Sequence, residues 1–299
     1  MAEVNCALEC KNTLGEGPVW DQEEKALYWV DVPYPEPTLH RWYPESHIHD
    51  SWDLPEMGTA LAVRESGGLL IAMQTQLCHF DLDTGAVTKV LEPEPNLPNN
   101  RTNDGKCDRN GRFWFGTMQN NVSETGEDVP IEESSGSLYC YSPYGTLKKW
   151  DTGFGVCNTF AWSPDNKTMY FGDTFDAIYA YDYDAASGEI GNRRDLARFE
   201  DLGYGDGSTI DSEGHLWNCR WDGGCILRIA PDGSLDRKIE LPVQRPTSCS
   251  FGGENLDTLF VTSARFGYTE DELAEQPFAG GILTVDAGVR GMPEPRFAG

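Results

Sequence analysis

Positive charge is scarce in this chain. Twenty-three lysines and arginines face 49 aspartates and glutamates over 299 residues, a formal net charge of −26. Phosphate backbones and acidic lipid surfaces repel such a polyanion, which argues against nucleic-acid and membrane partners. Long apolar runs are also missing. The sequence never approaches the ~18 uninterrupted apolar residues that read as a membrane-spanning helix, and residues 1–11 carry acids with no run of signal length. The expectation is a cytoplasmic protein. Helical periodicity is nearly absent, TEDELAEQ from Thr269 being the one helix-like stretch, so alternating strand–helix units are excluded.

Other absences narrow the chemistry. The five histidines (40, 47, 49, 79 and 215) all fall in apparent strand or turn segments, which argues against a His-ligated catalytic zinc. No nucleophile elbow, phosphate loop or dinucleotide fingerprint occurs. The nine cysteines (6, 10, 78, 107, 140, 157, 219, 225 and 249) are odd in number and lack C-x-x-C spacing. They read as buried reduced thiols, not as a disulfide frame.

What is present is a repeat. Six segments join a polar turn to an aromatic or β-branched run: 21–31 (DQEEKALYWVD), 65–74, 108–117 (DRNGRFWFGT), 163–173, 211–219 and 252–262. A second series alternates apolar and polar side chains before a turn, starting at Leu39, Leu77, Leu138, Ile178, Ile226 and Ile282. Period-two alternation beside turn residues marks strands in hairpins. Two interleaved sixfold series predict an all-β chain, a six-bladed β-propeller forming one domain over 1–299. The intervals 93–103, 120–135 and 200–207 lack strand patterning and are expected to be loops.

Propellers gather their sites at one end of the axis, so polar residues just ahead of each repeat are the informative ones. Four segments qualify: LGEGP from Leu14, RTNDG from Arg101, CNTF from Cys157 and GDGS from Gly205. Each alone also reads as an ordinary turn or a satisfied buried amide. Together, Glu16, Asn103, Asn158 and Asp206 would project from different blades toward one axis. Two carboxylates and amide oxygens make an oxygen-rich cage suited to a hard or borderline divalent cation.

The phrases LGEGPVWD from Leu14, NNRTNDGKCDRNGRFWFGTM from Asn99, GSLY from Gly136, NTFAWSPDNKTMYFGDT from Asn158 and DGSTIDSEGHLW from Asp206 resemble the regucalcin, gluconolactonase and sugar-lactonase family. The resemblance implies metal-dependent hydrolysis of a sugar lactone to an aldonic acid. It implies one divalent metal ion, with Ca, Zn, Mn, Mg and Fe(II) all admissible, bound by Glu16, Asn158 and Asp206. Arg101 and Asn103 would contact the lactone, Asn103 also approaching the metal through water. Asp206 is similar to the residue usually proposed as general base, and Asp104 is the neighbouring alternative. Family members often place a glutamate shortly after the GTM phrase. Here Gln119 and Asn120 follow it and become the candidate substrate contacts, with the acidic insert 120–135 as a replacement carboxylate source, a lid or a solvated loop. A monomer or weak homo-oligomer is expected. The alternatives are a calcium-dependent phosphotriesterase-like hydrolase and a calcium-binding regulatory protein without chemistry.

Overall fold

The computed structural model describes residues 2–299. Six four-stranded antiparallel sheets follow one another around an axis, spanning 15–53, 58–91, 100–154, 157–197, 204–240 and 246–286. They are the blades of the expected six-bladed propeller. The first repeat series forms the second strands, for example Ala26–Asp31, and the second series forms the third strands, such as Ile178–Asp184.

Burial falls from axis to rim. Second strands lie between neighbouring blades and are covered on both faces, so Leu69–Met73 is buried at every position. The outer strands Ile48–Asp53 and Leu235–Glu240 are mostly exposed and correspondingly polar. Apolar packing is divided among six clusters, one between each pair of adjacent blades. The sixth lies between the first and last blades, where Trp20 stacks on Phe260 at 5.4 Å.

The last blade is assembled from both ends of the chain. Val4–Leu8 pairs antiparallel with Ile282–Asp286 and becomes its outermost strand, which removes a free seam from the ring. Glu270–Ala274 is the short helix expected near Thr269, started by a capping box between Thr269 and Glu272. All nine cysteines are free thiols, seven of them buried. No helix among the described residues is long and apolar enough to cross a membrane.

Two of the expected loops are partly strand. Residues 100–103 belong to Asn100–Cys107, and residues 204–207 to Tyr204–Ile210. Both strands are irregular where they start, and the irregularity hides their period-two pattern.

Candidate functional site

The first strand of every blade packs around the axis against the first strands of its neighbours. Each loses register with its hairpin partner near its beginning: between Glu16 and Val19, Gly58 and Ala60, Thr102 and Gly105, Asn158 and Phe160, Gly205 and Ser208, and Pro246 and Cys249. A β-bulge inserts unpaired residues, bends the strand and re-aims side chains. Five of the six bulges at this end of the axis thereby put a polar side chain onto one shared space. Glu16, Asn103 with Asp104, Asn158 and Asp206 occupy or border four of them. Thr59 occupies the fifth, and Thr247 with Ser248 the sixth.

Local chemistry holds these bulges. Gly17 takes a left-handed φ of 57° that favours glycine. Gly207 lets adjacent strands approach, since a Cβ there would collide with Ser248. Thr159 has φ 59°, an outlier for a β-branched residue. It is held there by its hydroxyl, which donates to Asp206 O at 2.7 Å. Asn218 donates to the same carbonyl at 2.9 Å, and its Oδ1 accepts from Arg220 Nη1 at 2.9 Å. Arg220 also ties down the carbonyls of Phe199, Leu202 and Gly203.

Glu16, Thr59, Arg101, Asn103, Asp104, Asn158 and Asp206 all line one cavity of about 480 Å³. Its electrostatics are unbalanced. Burial, then the charges of Asp206 and Asp104, push the Glu16 carboxyl well above the ordinary carboxylate range. Burial and then Asp104 push Asp206 upward. Asp104 is raised to about 6, mainly by burial, with Lys106 pulling the other way. Backbone N–H groups are what the Glu16 and Asp104 carboxylates accept from, that of Gly17 at Glu16 and those of Gly105 and Thr159 at Asp104. Three recessed carboxylates thus repel one another with no ion-pair partner among the described residues.

Arg101 lines the same cavity as this group. It is 5% exposed, and burial pulls its pKa down to about 10, against the pull of Glu16 and Asp206. It therefore stays charged at neutral pH. Its Nη1 donates to Asn103 Oδ1 at 2.7 Å and Thr102 O at 2.8 Å, while Nε and Nη2 reach Asn121 Oδ1 at 3.3 and 2.8 Å. Four of the five guanidinium N–H groups are occupied, leaving one on Nη2. Asn103 in turn donates to Asn158 Oδ1 at 3.1 Å and Cys157 O at 2.9 Å.

Gln119 and Asn120, the expected substrate contacts, do not line the cavity. The Gln119 amide accepts from Glu132 N and Glu133 N at 2.9 and 2.8 Å. The Asn120 amide donates to Val122 O and accepts from Val122 N. Both side chains hold the insert in place. The insert reaches the cavity through Asp128, Val129, Pro130 and Ile131. Asn121, one residue further on, lines the cavity and accepts from Arg101 Nε and Nη2. Thr59 was missed as well, its segment carrying no charge or amide.

The donor set fits a divalent cation only in part as a purely anionic site. No group of three or more His, Cys, Asp or Glu side chains gathers in a metal-holding arrangement among the described residues. A cation would need Asn158 Oδ1 beside Glu16 and Asp206. That mixed set suits a hard oxygen-seeking ion, and a positive charge would relieve the mutual repulsion of the carboxylates.

The sequence profile described as the SMP-30/Gluconolactonase/LRE-like region matches residues 14–265. A regucalcin of Oryctolagus cuniculus is 35% identical over 301 residues, covering 99% of each chain. An L-arabinolactonase of Azospirillum brasilense is 36% identical over 295 residues, covering 97% of this chain and 94% of that one. Among solved structures, a calcium-binding protein, regucalcin, of Agrobacterium tumefaciens superposes with a TM-score of 0.91 at 31% identity, covering 99% of this chain and 97% of that one. Profile, relatives and superposition agree over nearly the whole length, and the chain belongs to the SMP-30/gluconolactonase/LRE-like family.

Proposed function

We propose that the protein hydrolyses a sugar lactone to the corresponding aldonic acid, with a divalent cation held by Glu16, Asn158 and Asp206. The observation that carries this reading is the trio of recessed carboxylates, without an ion-pair partner among the described residues, that shares one cavity with a buried arginine. The similarity to an L-arabinolactonase supports the choice of substrate class. When bound, the cation supplies Lewis-acid polarisation of a carbonyl and stabilisation of developing negative charge.

The chain's own groups do the rest. Arg101 offers its remaining Nη2 hydrogen to a lactone oxygen, and its grip on Asn103 and Asn121 sets the orientation of both amides. With Asp206 engaged in holding that cation, Asp104 would be the carboxylate free to take the proton of the attacking water. Water adds to the carbonyl carbon, the acyl–oxygen bond of the ring breaks, and the ring oxygen leaves as a hydroxyl.

A panel of aldonolactones followed by acid release tests the reading, with chelator removing turnover and a divalent ion restoring it. Full turnover in excess chelator would sink the metal dependence. Calcium binding without chemistry is the second reading, favoured by the calcium-binding description of the Agrobacterium tumefaciens relative. It predicts thermal stabilisation by calcium and no turnover of any lactone.

A further inference from the structure

A second cavity adjoins the first and plays no part in the reaction above. It measures about 460 Å³, and the two cavities share Thr174, Phe175 and Tyr204 as a common wall. Phe175 is 57% exposed and Tyr204 is 52% exposed, in a chain whose large rings are otherwise mostly buried. Their rings meet edge to face with centroids 6.5 Å apart. Two touching, uncovered aromatics on the boundary of two cavities form an apolar ledge open to a ligand from either side.

Beyond the ledge the second cavity is polar. Arg198 lines it and pairs with Asp176 at 2.9 Å, and Glu200 stands at its edge. Aromatic faces beside charged donors and acceptors are the chemistry of a carbohydrate site. The C–H face of a pyranose packs on the ring, and its hydroxyls pair with the guanidinium and carboxylates. One sugar ring does not need both spaces, each of which falls in the range of ~300–1,000 Å³ that takes a small ligand.

We propose that the second cavity is a glycosyl subsite, and that the enzyme accepts aldonolactones bearing a sugar substituent. The inference rests on lactone hydrolysis at the first site. The lactone ring occupies the first cavity, and the attached sugar crosses the Phe175–Tyr204 ledge into the second. Water adds to the lactone carbonyl and the acyl–oxygen bond of that ring opens. The glycosidic bond stays intact, so the product is a glycosylated aldonic acid.

The test compares kcat/KM of the full-length protein, supplied with a divalent ion, on gluconolactone and on cellobionolactone. Ala197 lines the second cavity and not the first, so Ala197→Trp fills only the glycosyl space. It is expected to lower kcat/KM for cellobionolactone at least about tenfold through KM, and to change gluconolactone turnover less than about twofold. Should the tryptophan variant fail to fold by thermal melting, Phe175→Ala takes its place. That change is expected to raise KM for cellobionolactone at least about fivefold more than KM for gluconolactone. A wild-type protein that opens gluconolactone but not cellobionolactone overturns the subsite, as does an equal effect on both substrates. Turnover of neither lactone sinks the underlying lactonase reading itself, a separate and distinguishable result.

Discussion

The two ends of the propeller axis treat buried charge in opposite ways. Where the innermost strands begin, Glu16, Asp104 and Asp206 face a cavity of about 480 Å³, and burial together with neighbouring carboxylates pushes Glu16 and Asp206 above the ordinary range. A few residues further along the same strands, Lys106 Nζ lies 2.9 Å from Glu294 and donates to Ser208 O at 3.2 Å. Thr209 and Ser250 donate to that glutamate at 3.4 Å each. The void left there is about 30 Å³, room for little more than a water molecule. Glu294 arrives on the C-terminal segment, which bridges to Asp211 at Gly291 and to Arg64 at Phe297. Charge that the chain itself pairs is architecture, and charge that it leaves unpaired is a place for a ligand.

Breaking the open end should have the largest effect on function. Glu16→Gln and Asp206→Asn are each expected to lower kcat/KM on the order of 10³-fold. In chelator, Glu16→Gln should also melt about 2 °C higher than wild type, because one repelling charge is gone. Lactone kinetics and calorimetry in EDTA check both, and a lower melting temperature would mean the carboxylate is structural.

Breaking the closed end should cost stability instead. Lys106→Met strands Glu294 and is expected to destabilise by about 3–5 kcal/mol, while Lys106→Met with Glu294→Leu should recover most of the loss. Denaturant melts of the single and double variants decide it, and equal losses in the two would refute pairing as the cause.

Arg101→Lys sharpens the contrast within the open end. It keeps the charge but loses the planar fork that holds Asn103 and Asn121, so kcat/KM should fall about 30-fold with the melting temperature nearly unchanged. Steady-state kinetics at pH 7 read the effect, and wild-type values would remove the fork from the site.

The smallest effect lies away from the axis. His40 stacks on Trp29 at 4.9 Å and meets His49 at 3.1 Å. Burial, then His49, lowers its pKa to about 3. The unfolded chain takes up a proton near pH ~6.5 that the folded chain refuses, so stability present above that pH is lost as the pH falls toward 3. His40→Phe should flatten the melting temperature between pH 7 and 4.5. Parallel slopes in the two proteins would rule His40 out.

The blades were legible because their second and third strands are covered by neighbours, which forces apolar residues at regular spacing. The outer strands were not, since exposed edges such as Leu235–Glu240 carry no pattern that burial enforces. Val4–Leu8 was hidden for another reason: its partner, Ile282–Asp286, lies at the far end of the chain. At the site, Glu16, Arg101, Asn103, Asp104, Asn158 and Asp206 were singled out and do line one cavity. Gln119 and Asn120 were singled out and instead hold the insert, and Asn121 takes the place facing Arg101.

By itself the sequence determined an acidic all-β ring of six repeats, because strand alternation and turn chemistry are local and recur. Only the tertiary structure decided which polar residues share a space. The cavity lined from several blades, the Phe175–Tyr204 ledge between neighbouring blades and the pairing of Lys106 with Glu294 on the C-terminal segment each depend on contacts between separate elements, and no local pattern encodes a distance measured across the axis.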